Sequence, residues 1–287
     1  MTGAIDRGIV GVAVGPVTHA VDARWLMAYA AGLGETDPRH YDTLAADGPL
    51  AHPLFPVCYE WPAAVALRDK TVETALQPRS VHATHHLVLH RLPRAGDVIH
   101  TTARVTEVAP RPAGTLVVSR FETVDARGDA ISTTDYGSVY RGVRLTGSPE
   151  PVGAASPRPS DQPGPPEIAW EERVEVPATA ALVYTECARI YNPIHTDVAV
   201  ARAAGLANPI LHGTATLALA VSRVLARALG GRAHVREVRA RFTGMVPLPS
   251  YFTVRGRGRS GDPALFDVVG PAGEPVLSQG VLVPCDR

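Results

Sequence analysis

The chain has 287 residues, enough for two domains of ordinary size, and its charge is balanced at 28 basic against 28 acidic residues. A balanced charge gives no electrostatic reason to bind nucleic acid or an anionic membrane, so we expect neither partner. Three widely spaced cysteines and the lack of a signal-like or membrane-spanning apolar run predict a cytoplasmic protein with reduced thiols.

The first half contains two helical patterns followed by strands. Apolar residues spaced for one buried face predict a helix over residues 18–34, and a run with prolines near its start predicts another over 53–67. Alternating apolar residues then predict strands, with a hairpin turn at 126–129. These strands cover residues 81–89, 98–108, 115–124 and 131–143.

The second half repeats this order after a Pro-rich stretch. Seven prolines among residues 146–166 predict an extended linker. The expected organisation is an N-terminal domain over 1–145, a linker over 146–167 and a C-terminal domain over 168–287. Within the last, helices are predicted at 177–190 and 213–229, and strands at 172–176, 235–242, 251–257, 264–269 and 276–283.

Three landmarks support an internal duplication. The run Asp-Pro-Arg-His-Tyr-Asp at 37–42 precedes Asn-Pro-Ile-His-Thr-Asp at 192–197 by 155 positions. Residues 51–55 precede 207–211 by 156 positions, and Pro93 precedes Pro247 by 154. Each half is therefore predicted to be a long helix packed on an antiparallel sheet, an α+β arrangement.

Several of these residues resemble a known family. Tyr184, the run Asn-Pro-Ile-His at 192–195 and the run Pro-Ile-Leu-His-Gly at 209–213 resemble the MaoC-like hydratase/dehydratases, or (R)-specific enoyl-CoA hydratases. The resemblance implies a tandem (double) hotdog fold and a substrate carried as a thioester of CoA or an acyl-carrier protein. It implies no other cofactor and no metal, and either a monomeric pseudo-dimer or a homodimer.

The resemblance also assigns roles in the second half. His195 corresponds to the family's acid/base, Asn192 to the group that supports it, and the Gly213 N–H to the donor that binds the thioester carbonyl. The family's catalytic Asp falls on Ile190, which cannot exchange a proton. Glu186 lies one helical turn before Ile190, so a shared helix face would make it a substitute carboxylate.

The first half shows a different pattern of losses. Glu35 and His40 stand at the family's Asp and His positions. The offset of 156 positions pairs Pro56 and Val57 with the family's His-Gly, and the proline removes an N–H donor. We interpret His40 as the remnant of a second site, keep Glu35 as another possible carboxylate, and expect catalysis in the second half. Two alternatives stay open: a repurposed isomerase or cyclase, and a non-catalytic thioester-binding subunit.

Other polar residues have simpler interpretations. Asp42 and Asp197 follow the histidine in both copies, which favours a structural role in the loop. His82, His85 and His86 have metal-like spacing, but strand alternation places His85 on the opposite face, so no metal site is predicted.

Overall fold

The computed structural model describes residues 3–147, 166–231, 234–258 and 263–285, so most of the predicted linker lies outside the described residues. The helices of this part are α1 (Ala23–Gly32), α2 (Pro56–Thr71), α3 (Ala180–Ala188), α4 (Val198–Ala203) and α5 (Gly213–Ala228). The strands of the first half are β1 (Ala4–Asp6), β2 (Ala13–Ala20), β3 (Ser80–Leu89), β4 (Val98–Arg111), β5 (Gly114–Asp125), β6 (Ala130–Arg141) and β7 (Arg144–Thr146). Those of the second half are β8 (Ile168–Val176), β9 (Val235–Phe242), β10 (Ser250–Arg257), β11 (Ala264–Val269) and β12 (Pro275–Pro284).

Ten of these strands form one antiparallel sheet in the order β2-β4-β5-β6-β3-β9-β12-β11-β10-β8. The two halves contribute five strands each in mirrored order, and they join where β3 pairs with β9, for example at Leu87 and Val238. A mirrored order around one junction is what a pseudo-two-fold axis between duplicated halves produces. The sheet confirms the predicted α+β class.

The helices pack on this sheet with their apolar faces buried. On α5, Leu217, Val221 and Val224 recur at helical spacing, and none of them is exposed. Helices α1 and α3 pack on each other, and the hydroxyl groups of Tyr29 and Tyr184, 155 positions apart, lie 3.4 Å from each other. The pseudo-two-fold axis therefore passes close to this tyrosine pair.

The structure corrects the start of three predicted helices, of which α3 begins at Ala180 and not at residue 177. Residues 18–20 belong to β2, and α1 begins only at Ala23 because the Asp22 side chain accepts a hydrogen bond from the Trp25 N–H at 2.7 Å and caps the helix. Helix α2 begins at Pro56 and not at residue 53. The short β1–β7 pair, β2 and α4 were not predicted, whereas the predicted strands are confirmed with changes at their ends.

A β-bulge also corrects the prediction for the histidine group. The pairing of β3 with β6 shifts between His82 and Thr84, so simple alternation fails there. The rings of His82 and His85 consequently lie 5.4 Å apart instead of on opposite faces. Within the described ranges, no group of three or more His, Cys, Asp or Glu side chains has the geometry to hold a metal ion. No helix there is both long and apolar enough to cross a bilayer.

Candidate active site

The second loop, residues 189–212, connects the end of α3 to the start of α5. Arg189 ends α3 in the left-handed conformation (φ 58°), and Pro193–His195 form one 3-10 turn. The His195 Nδ1 lies 2.9 Å from the carbonyl oxygen of Ile210. Since a carbonyl only accepts, Nδ1 carries the proton and Nε2 keeps a free lone pair. Burial lowers the pKa of His195 to about 4, so the ring is a neutral base at neutral pH.

The start of α5 lies against this histidine. The His212 ring stacks on the His195 ring at 3.7 Å, and burial together with His195 lowers the pKa of His212 to about 2. Gly213 is the first residue of α5, where the N–H groups have no acceptor within the helix. A Cβ at this position would lie 3.1 Å from the Phe242 ring, which explains why a glycine fits here. The loop thus brings a base and helix N–H donors together.

The carboxylate expected in this loop is missing. Ile190 is 4% exposed and packs in the hydrophobic core, whereas Glu186 points to solvent from α3. The two residues do not share a face, so the structure does not support Glu186 as a substitute carboxylate. The Asn192 side chain makes no capping hydrogen bond with the turn that follows it. The residue is half-buried and lies three positions before His195 in the chain.

The first loop, residues 34–53, holds its histidine in the same way. The His40 Nδ1 lies 2.7 Å from the Leu50 carbonyl oxygen, which again leaves Nε2 free. His52 follows Leu50 by two positions, as His212 follows Ile210. His52 is therefore the counterpart of His212, and Pro53 the counterpart of Gly213. The predicted pairing of Pro56 and Val57 with His-Gly is wrong, and so is the 156-position match of 51–55 with 207–211 from which it came, because the second loop is five residues longer between its two histidines.

Around Glu35 the first loop also carries contacts that the sequence did not reveal. The Glu35 carboxylate accepts a hydrogen bond from the Ser222 hydroxyl of α5, and its Oε1 lies 3.7 Å from His52 Nε2. Ser222 Oγ lies 3.2 Å from that same nitrogen. The rings of His40 and His52 are 6.4 Å apart. The structure therefore gathers Glu35 and His40 with two residues that sequence reasoning missed, His52 and Ser222. The signal for His52 was the match of Pro-Leu-Ala-His-Pro at 49–53 with Pro-Ile-Leu-His-Gly at 209–213.

The aspartates after the histidines have the structural role that was predicted. Asp42 accepts a hydrogen bond from the Leu44 N–H at 2.9 Å, and Asp197 caps α4 by accepting from the Ala199 N–H at 2.7 Å. Both carboxylates are occupied by the backbone of their own loops.

Comparisons with known proteins identify related families and folds. Residues 169–260 match the family described as "MaoC like domain", and residues 8–134 match "FAS1-like, dehydratase domain region". The second half of the chain therefore contains a MaoC-like domain, and the first half is similar to a dehydratase region. The chain is 29% identical over 190 residues to the peroxisomal multifunctional enzyme type 2 of Drosophila melanogaster, and that match covers 62% of this chain but 31% of the relative. The chain thus spans about a third of that relative's length.

Comparison with solved structures shows the fold of this chain. A MaoC-like dehydratase from Phytophthora capsici superimposes with a TM-score of 0.83 at 20% identity, over 97% of both chains. A Mycobacterium tuberculosis protein described as having a double hotdog fold superimposes with a TM-score of 0.61 at 18% identity, over 96% of both chains. The predicted double hotdog fold is confirmed.

Each loop of this MaoC-like protein borders a cleft. A cleft of about 450 Å³ beside the second loop is lined mainly by apolar side chains of α1 and α2, and the Arg189 guanidinium lies over the Trp25 ring at 4.1 Å at its edge. A cleft of about 580 Å³ borders the first loop, and Thr36, which follows Glu35 in the chain, is one of the residues that line it. The cleft beside the second loop is lined by His19, Trp25, Cys58, Trp61, Pro62, Val65, Arg189 and Tyr191. The cleft beside the first loop is lined by Thr36, Pro38, Arg39, Tyr41 and Asp42.

Proposed function

We propose that the chain catalyses the reversible hydration of an enoyl thioester, the reverse being dehydration of a 3-hydroxyacyl thioester. The observation that carries this proposal is the imidazole geometry, which is repeated in both loops. In each loop a carbonyl oxygen fixes the proton on Nδ1 and leaves Nε2 as a base that faces away from it. The match of residues 169–260 to the MaoC-like domain supports the same reaction.

In the second loop, the proposed roles follow the family pattern. The Gly213 N–H donates to the thioester carbonyl, where negative charge develops as the enolate forms. His195 Nε2 moves the proton, and Asn192 orients the substrate or a water molecule. The thioester is carried on CoA or on the pantetheine of a carrier protein, and the Arg189 guanidinium at the edge of the cleft is placed to contact a phosphate of that carrier.

Crotonyl-CoA hydration, followed by the loss of enoyl absorbance, tests the proposal. The double variant His40→Ala/His195→Ala removes the base from both loops and should lower the rate by roughly 10²–10⁴-fold or more. His90→Ala removes an exposed histidine that directly follows β3 and serves as the matched control. Full activity in the double variant would contradict the proposed reaction, and any robust turnover by the purified chain rules out a purely thioester-binding subunit.

One observation favours a second candidate for the second loop. Ile190 is buried where the family has its Asp, and the neighbouring cleft is mainly apolar, so this loop is suited to moving a proton without activating water. Isomerisation of the double bond in an enoyl thioester needs only such a proton transfer. Turnover in water labelled with heavy oxygen separates the two reactions, because hydration places the label in the product and isomerisation does not.

A further inference from the structure

The hydrogen bonds around Glu35 run in one direction. The Leu54 N–H donates to His52 Nδ1 at 3.0 Å, so the proton of this neutral ring is on Nε2. His52 Nε2 therefore donates to Ser222 Oγ at 3.2 Å. The Ser222 hydroxyl has one hydrogen, for which the Glu35 carboxylate and the Ala218 carbonyl oxygen at 3.0 Å compete. A charged acceptor forms the stronger bond, so the hydrogen goes to Glu35.

This relay leaves the Glu35 carboxylate oriented and accessible. Its Oε1 is held by Ser222, which frees Oε2 for another partner. The side chain keeps 16% of its surface exposed, and the next residue in the chain, Thr36, lines the cleft of about 580 Å³. His52 and Ser222 are themselves buried. A reachable carboxylate held by two buried polar side chains is a built arrangement and not a solvated remnant.

The equivalent positions in the second loop carry no such relay. Ile190 takes the place of Glu35, 155 positions later in the chain. Ser222 lies 160 positions after Pro62, the same offset that relates His52 to His212, and proline has no hydroxyl. The carboxylate and the hydroxyl that holds it are thus both confined to the first loop, although Ser222 comes from a helix of the second half.

We propose that the first loop is a separate acid–base centre in which Glu35 is the carboxylate that adds water to the enoyl thioester. Ser222 and His52 act as positioning residues for it. The inference rests on the proposed hydration reaction and assigns hydration to the first loop. The second loop, in which Ile190 replaces the carboxylate, keeps the proton transfer described above for isomerisation.

The step balances with the groups that this loop provides. Glu35 Oε2 takes a proton from water while the water oxygen bonds to the β-carbon of the substrate. The π electron pair moves to the α-carbon and the thioester carbonyl, and the protonated carboxyl then returns the proton to the α-carbon. His40 Nε2, the ring nitrogen that the bond between Nδ1 and the Leu50 carbonyl leaves free, accepts a hydrogen bond from the second hydrogen of the same water. The net change is addition of one water.

Single substitutions in the full chain test this inference with crotonyl-CoA. Glu35→Gln should lower kcat by roughly 10²–10⁴-fold, whereas the matched control Glu186→Gln, on the exposed side of α3, should match the wild type. Ser222→Ala should lower kcat about tenfold with KM unchanged, since it removes the bond that orients the carboxylate together with the acceptor of the His52 Nε2–H. A purely structural role for Ser222 would instead lower the unfolding midpoint and leave the kcat of the folded fraction unchanged.

The outcomes separate the two proposals. A wild type that hydrates no enoyl-CoA contradicts the proposed function. If the wild type is active and Glu35→Gln is fully active as well, only the present inference is contradicted. The same conclusion follows if His195→Ala abolishes the activity while Glu35→Gln retains it.

A binding measurement tests the first loop without any turnover. Calorimetry with butyryl-CoA should find two sites per wild-type chain and one in Thr36→Trp, which fills the cleft beside Glu35. A single site in the wild type, or two sites in Thr36→Trp, would overturn the inference.

Discussion

Glu60 of α2 offers a quantitative test of how burial acts in this fold. The residue is 4% exposed, and its Oε1 accepts a hydrogen bond from the Thr134 hydroxyl at 2.6 Å. Burial raises the pKa of Glu60 from an ordinary value of 4.5 to about 8, and the bond from Thr134 offsets only part of that rise. At neutral pH the side chain is therefore mainly a neutral carboxylic acid.

The sign of the resulting pH dependence follows from proton binding. The folded-state pKa lies above the unfolded value, so between pH 4.5 and about 8 the folded chain binds more protons than the unfolded chain. The free energy of unfolding therefore falls as pH rises through this window. At about 1.4 kcal/mol per pKa unit, the loss amounts to roughly 5 kcal/mol across the window. That is a large share of the roughly 5–15 kcal/mol that stabilises an ordinary domain.

Glu60→Gln removes the titration and keeps an amide oxygen that can accept the bond from Thr134. Between about pH 5 and about pH 8.5, urea titrations should show the free energy of unfolding of the wild type falling by several kcal/mol relative to that of this variant. The contributions of all other titrating groups cancel in the comparison. Glu186→Gln, an exposed counterpart, should follow the wild type. Parallel pH dependence of the wild type and Glu60→Gln would refute the argument that Glu60 is buried and protonated.

Three further predictions concern the two loops and the tyrosines between them. In a Glu35→Gln background, Ile190→Asp should raise the rate of crotonyl-CoA hydration by roughly 10²–10⁴-fold, since it supplies a carboxylate near His212. An unchanged rate would mean that the second loop does not hydrate the substrate. Tyr29→Phe should lower the free energy of unfolding by about 1–2 kcal/mol in urea titrations, because the Leu54 carbonyl loses a buried partner at 3.2 Å. An unshifted midpoint would show that this bond contributes nothing. The His195 ring should titrate near pH 4 by proton NMR, and a titration midpoint near pH 6.5 would contradict its burial. Because the unfolded chain binds this proton more readily, the free energy of unfolding should fall as pH falls from 6.5 toward 4.

Local patterns in the sequence were sufficient to predict most of the fold. The strands β4, β5, β9 and β11 lie where alternation placed them, because a residue's neighbours two positions away already decide which face of a sheet it takes. The start of α1 was missed because the alternating end of β2 continues into the helical pattern, and the Asp22 cap that separates them is a single residue.

The site was only partly predictable. The sequence located His40, His195 and Gly213 in two related loops, and these loops hold their histidines alike. It placed Glu186 on the same face as Ile190, but α3 ends at Ala188 and Arg189 turns the chain into the left-handed conformation. The helical spacing between those two residues therefore does not apply.

By itself, the sequence determined the duplication, the α+β class and the histidine of each loop, because these depend on residues close together in the chain. Only the tertiary structure decided that His52 corresponds to His212 and that Ser222, 187 positions after Glu35, holds the Glu35 carboxylate. Such pairings depend on how a loop of different length is accommodated and on which face of α5 turns toward the first half. Those properties follow from the packing of distant elements, which no local spacing encodes.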